Sequence, residues 1–164
     1  MKLFSSVLAL GLGFSSPVLA DMKASLMAPW GGPNIPAGQQ CKLNGGNGAT
    51  PPIQVTGMPA GTVAVLVEYD DKSYQPLSTK GGHGTLIYPA KGASANLPSV
   101  PGMTDRLPGG VRVHKKSRGT GQYASKGYLP PCSGGRGNKY TATLYAIDGG
   151  GKKTAKTQIT IGKY

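Results

Sequence analysis

The chain has 164 residues, with 18 Lys and Arg against 6 Asp and Glu, a formal net charge of +12, and 27 Gly and 14 Pro. Glycine and proline at this density exclude a helical bundle, and the length accommodates one domain with one core. The charge draws the molecule towards anionic partners, whether phospholipid head groups, acidic proteins or an envelope polyanion, and by itself selects none of them.

The first twenty residues have the form of a secretory signal peptide. Lys2 supplies the positive start, Leu3 to Phe14 an apolar core, and Val18-Leu19-Ala20 a small-residue cleavage site. Ser15, Ser16 and Pro17 break the apolar run, which is too short to span a bilayer. Residues 21–164 are therefore expected as one exported domain, periplasmic or secreted, with no transmembrane segment after cleavage. Residues 21–34 read as an irregular basic entry segment. Asn44 to Pro52 is a glycine loop closed by two prolines, and Gly57 to Thr62 is a turn. Thr62 to Tyr69 alternates apolar and polar residues, which predicts a strand.

Thr85 to Tyr88 is a short apolar run that fits a central strand. Gly92 to Pro108 reads as loop, with Pro98, Pro101 and Pro108 against regular structure. Val111 to His114 suggests another short strand. Tyr128 to Asp148 then opens on the Pro130–Pro131 corner and Cys132, crosses a glycine-rich loop and enters a second alternating strand. Tyr140, Ala142, Leu144 and Ala146 take one side of it, and Thr141, Thr143, Tyr145 and Ile147 the other. Such a loop, delivering polar groups to a strand mouth, is how a fold builds a small-ligand site. Thr157 to Ile161 alternates again and closes the sheet. No helical period with caps follows Ala20.

Chemistry-bearing residues are few. Six acids and two histidines leave little for a catalytic triad, and no G-x-S-x-G elbow is present. Gly149 to Thr154 lacks the spacing of a phosphate loop. The chain is accordingly not expected to be an enzyme, and no cofactor or catalytic residue is assigned. Cys41 and Cys132 both lie in the exported part. They either pair, closing a loop of about 90 residues worth about 4 kcal/mol, or remain two buried thiols. Two thiols without a histidine cluster do not make a zinc site. Arg112, His114, Lys115, Lys116 and Arg118 form the densest basic patch.

Several of these segments share a pattern. Tyr128 to Asp148 resembles the run Y-x-G-P-C-P-P-x-G-x-H-R-Y-x-F-x-L-Y-A-L-D of the phosphatidylethanolamine-binding protein (PEBP) family, in its bacterial Raf-kinase-inhibitor-like branch. Tyr128, Pro131, Cys132, Tyr140, Leu144, Tyr145, Ala146 and Asp148 fall on fixed positions without a gap, while Asn138 and Lys139 replace the histidine and arginine. Gly57 to Thr62 is similar to the family's G-x-P-x-G-T, and Ile35-Pro36 with Cys41 to its I-P-x-x-x-x-C. Tyr69-Asp70 matches the start of Y-D-P-D-A-P, with Asp71 and Lys72 in place of the proline and second aspartate. His83 matches the histidine of W-H-W-V-V-Y-N-I-P-A, both tryptophans having become glycine.

The resemblance implies an all-β-dominated, PEBP-like Greek-key β-sandwich with reduced helical elements. It places Cys41 and Cys132 at the same end of the sandwich and so implies that they are joined. It also implies a ligand pocket of Asp70, His83, Asn138 and Tyr140, floored by Pro131, that takes a small anion or a phospholipid head group. The function so implied is noncatalytic: binding that ligand, or modulating another protein. The rival is a structural or adhesive envelope protein that has lost the pocket and holds polyanions through its basic surface.

Overall fold

Eight strands in two antiparallel sheets, with three short 3-10 turns and no α-helix, make up residues 21–164, the part that this computed structural model describes. The signal-peptide assignment at residues 1–20 lies outside the described residues. The larger sheet takes β3 (Thr62–Asp71), β4 (Thr85–Pro89), β6 (Arg112–Lys115), β7 (Lys139–Asp148) and β8 (Lys153–Lys163), and the smaller β1 (Lys23–Leu26), β2 (Ile53–Thr56) and β5 (Ser94–Leu97). The order in the larger sheet is β6-β4-β3-β7-β8, and in the smaller β1-β2-β5. The chain crosses between sheets after β2, β4 and β5, and β7 joins β3 on the side away from β4, as the expected Greek-key sandwich requires.

The core follows from period-two alternation. Val65, Val67 and Tyr69 of β3 and Tyr140, Ala142, Leu144 and Ala146 of β7 face Ile53, Val55 and Leu97 of the smaller sheet in one buried cluster. Ile53, Val55, Val65, Val67, Leu144 and Ala142 have no exposure at all. At about 25 cal/mol per Å² of apolar surface removed from water, side chains of this size contribute roughly 1.5–3 kcal/mol each. No helix among the described residues is long and apolar enough to cross a membrane.

Three expectations need correction. The entry segment is not wholly irregular, because Lys23–Leu26 pairs with Thr56–Ile53 as β1. Nor is the segment from Gly92 to Pro108 all loop: Ser94–Leu97 pairs antiparallel with β2 and stops just before Pro98. A proline pushes its predecessor to extended backbone, which suits a strand's last residue, and it can donate no further ladder bond. The closing strand also runs further than expected, from Lys153 to Lys163, with two register shifts against β7.

Candidate anion-binding cavity

The inward rows of β3 and β7 end together. Asp71 is the last residue of the row Val65, Val67, Tyr69, and it lies opposite Tyr140 in the β3–β7 register. Beyond them the apolar core gives way to a cavity of about 360 Å³ lined by Asp71, His83, Arg118, Arg136, Asn138 and Tyr140, among others. That volume falls within the range that small-molecule sites occupy.

Each wall has a local cause. His83 sits in the turn from Gly81 to Gly84, where its N–H donates to Tyr69 O at 2.8 Å and its carbonyl accepts from Leu129 N at 2.7 Å. A Cβ on Gly82 would lie 2.1 Å from Leu77 O, so the turn can pass only as glycine. The histidine is buried, 3% exposed, although a glycine turn by itself suggests solvent. Its Nδ1 lies 2.7 Å from Leu129 O. A carbonyl only accepts, so Nδ1 carries the hydrogen and Nε2 the lone pair. Burial pushes the imidazole pKa down, only partly offset by the Leu129 carbonyl and by Asp71 and Asp70.

The opposite wall is the loop between Pro131 and Asn138. Cys132 is joined to Cys41 by a disulfide, with Cα atoms 5.2 Å apart and a sequence separation of 91. Pro131 O accepts from Cys41 N at 2.9 Å beside that bond. Gly134, Gly135 and Gly137 have φ of 70°, 76° and 78°, a left-handed backbone that other residues adopt only at a cost. The far end is held by Asn138, whose Nδ2 donates to Asp71 Oδ2 at 2.7 Å, and by Asn138 and Tyr164 exchanging backbone bonds at 2.8 and 3.0 Å. Tyr140 accepts from Cys132 N at 3.3 Å, and its ring meets His83 edge-on at 5.3 Å. Burial pushes its phenol up to about 12, with the Asp71 charge adding to the rise against a Ser133 hydrogen bond, so the hydroxyl keeps its proton.

The cation at the mouth is Arg118. Its Nη2 donates to Thr79 O at 2.8 Å and Pro76 O at 3.0 Å, and its Nε to Pro76 O at 3.3 Å. Backbone carbonyls therefore fix the guanidinium in place while two of its five N–H groups find no partner among the described residues. Among the described residues the ion pairs are Lys72 with Asp70 and Lys153 with Glu68, so Arg118 and Arg136 have no carboxylate partner.

His83, Asn138 and Tyr140, three residues expected in the pocket, are thus brought together. Asp70 is not with them. Strand alternation turns it to the other face, where Oδ1 accepts from Gly82 N at 2.9 Å and Oδ2 lies 3.5 Å from Lys72 Nζ. It shapes the turn that carries His83, and Asp71 is the cavity carboxylate instead. Pro131 is buried behind the wall and does not line the cavity. The basic patch divides: all five residues are exposed, but Arg112, His114, Lys115 and Lys116 lie on β6 and just after it, whereas Arg118 lines the mouth of the cavity. Sequence reasoning missed Asp71 and Arg136. The parity of β3, counted from Val65, would have found the first; nothing in the glycine loop marked the second.

No family model and no curated protein matches the sequence. Among solved structures, the chain is similar to a protein from Chlamydia trachomatis described as a homolog of phosphatidylethanolamine-binding protein. Identity is 19%, the match covers 88% of this chain and 97% of that one, and the TM-score is 0.54. The chain has a PEBP-like fold.

Proposed function

We propose that this chain is an exported, noncatalytic binding protein of the PEBP type that takes a small phosphate-like anion in the cavity between β3, β7 and the loop from Pro131 to Asn138. The observation that carries the reading is Arg118: a guanidinium fixed by two carbonyls, with no carboxylate partner among the described residues, at the mouth of a cavity that also holds Tyr140, Asn138 and Arg136. A guanidinium held in one orientation favours an anion more than a mobile surface cation does. The Cys41–Cys132 disulfide fits an oxidising compartment and hence export.

Affinity for phosphoethanolamine should be modest. Asn138 supplies no charge and already spends one amide hydrogen on Asp71. We expect Kd in the millimolar range, about −4 kcal/mol. Calorimetric titration at low and high salt tests this. Binding that persists in high salt and disappears in the double variant Tyr140→Phe, His83→Ala supports the cavity; binding that ignores both changes and collapses with salt refutes it. That second outcome would favour the polyanion reading, which rests on the exposed Arg112, His114, Lys115 and Lys116 along the β6 edge.

A further inference from the structure

The donors and acceptors of the cavity are not mixed evenly. Its mouth is cationic, with Arg118 and Arg136. Its interior sets two acceptors, His83 and Asp71, beside the hydroxyl of Tyr140 and the second amide hydrogen of Asn138. The Nδ1 hydrogen of His83 is committed to Leu129 O, and Nε2 makes no hydrogen bond among the described residues although the histidine is 3% exposed and lines the cavity. Asp71 beside it is a carboxylate that accepts from Ser73 N at 2.9 Å and from Asn138, and each of its oxygens has a second lone pair. A fully deprotonated anion brought inside would set its own lone pairs against these. A ligand oxygen bearing a hydrogen would donate to them.

From this arrangement we infer that the cavity selects a phosphoryl group that still carries a proton: the monoanion of a phosphomonoester, its P–O⁻ towards Arg118 and its P–OH donating to Nε2 of His83, with Asp71 as the neighbouring acceptor. The inference rests on the anion-site reading above and narrows it. Phosphodiesters and sulfate have the charge but no hydrogen to give, so they offer no donor to Nε2 of His83 and set their lone pairs against those of Asp71. The groups that face His83 are Asp71 from the end of β3, Arg118 from the segment after β6 and Tyr140 from β7, with Arg136 on the far wall; Asp70, turned to the other face of β3, acts on it only through its charge. Burial holding the imidazole neutral keeps Nε2 an acceptor to lower pH than a free histidine would.

The test uses the full disulfide-bonded protein and three probes: methyl phosphate, dimethyl phosphate and sulfate, each titrated at about pH 5 and about pH 8, on either side of the monoester's second ionisation near 6. Methyl phosphate should bind about tenfold or more tightly than the other two at the acid value, and weaken on going to the alkaline one despite its greater charge. The ¹⁵N shift of His83 Nε2 should read as an unprotonated nitrogen in the free protein and move towards a hydrogen-bonded one as methyl phosphate is added. Asp71→Asn should narrow the gap between methyl phosphate and sulfate. Equal binding of sulfate, or tighter binding of the methyl phosphate dianion, would overturn the selectivity and leave the anion site standing. All three anions strengthening together on acidification would assign the effect to protonation of His83, which also overturns it. If none of the three binds, the anion-site reading itself falls, and this inference with it.

Discussion

Strand β7 carries a glycine-rich loop at each end, and the two are built on opposite principles. At its C-terminal end the turn from Asp148 to Lys153 is held by its own residues. Asp148 Oδ1 accepts from Gly150 N at 3.0 Å and Lys152 N at 2.9 Å, and Asp148 O accepts from Gly151 N. At its N-terminal end the loop from Pro131 to Asn138 takes almost nothing from itself. The disulfide to Cys41, the Asn138 bond to Asp71 and the bonds of Asn138 and Ser133 to Tyr164 all reach across the molecule. A locally satisfied turn joins two strands and ends there. A loop anchored at distant points can hold Arg136 and Asn138 against a cavity whose other wall comes from β3 and the His83 turn.

The largest expected effect is at the distant anchors. Reducing the Cys41–Cys132 bond, or replacing both residues by alanine, reopens a loop that spans a sequence separation of 91 and should cost about 4–5 kcal/mol on the chain-entropy account. Urea unfolding with and without reductant measures it. Because the same bond pins the cavity wall, methyl phosphate affinity should fall as well, in protein that remains folded by circular dichroism. Unchanged affinity after reduction would break the link between anchoring and binding.

Next in size is Gly135→Ala. The residue has φ of 76°, and a left-handed backbone costs a non-glycine residue roughly 1–2 kcal/mol. Arg136 is its neighbour, so weaker binding should accompany the lost stability. Asp148→Ala should come third. It removes an acceptor shared by two backbone N–H groups that water can partly replace, a loss of about 1 kcal/mol, and binding should not change. A binding defect in that variant would erase the distinction between the two loops.

The same contrast decides what could be read from the sequence. Strands β3, β4 and β7 carry their alternation in five to ten residues, and the larger sheet follows from them. The smaller sheet was hidden. Each of its strands has four residues, and KASL and SANL acquire meaning only because both pair with Ile53–Thr56. Short strands stabilised by partners far along the chain leave little local trace. In the cavity, the family-like pattern named His83, Asn138 and Tyr140, which line it, and Asp70, which does not. Motif position favoured Asp70, while the pleat turns Asp71 inward beside Tyr140. Arg118 was visible only as one member of a basic run, because its role depends on the carbonyls of Pro76 and Thr79, some forty residues earlier.

The smallest effect is expected from Gly149→Ala, which tests the comparison at its weakest point. Gly149 is not among the glycines with positive φ, and a Cβ built on it meets nothing within 4 Å. The native backbone can therefore take the side chain without strain or clash. What remains is the unfolded chain, which loses freedom when glycine becomes alanine, a gain in stability of about 0.4–1 kcal/mol at a compatible position. Thermal unfolding should accordingly show a small rise in Tm, and methyl phosphate titration no change. Set beside Gly135→Ala, the same chemical substitution at the other end of the same strand should then change stability with the opposite sign, and only there should it touch binding. A loss of stability at Gly149 comparable to that at Gly135 would mean that the turn from Asp148 to Lys153 is as constrained as the cavity loop, and that the difference between the two ends lies in their side chains alone.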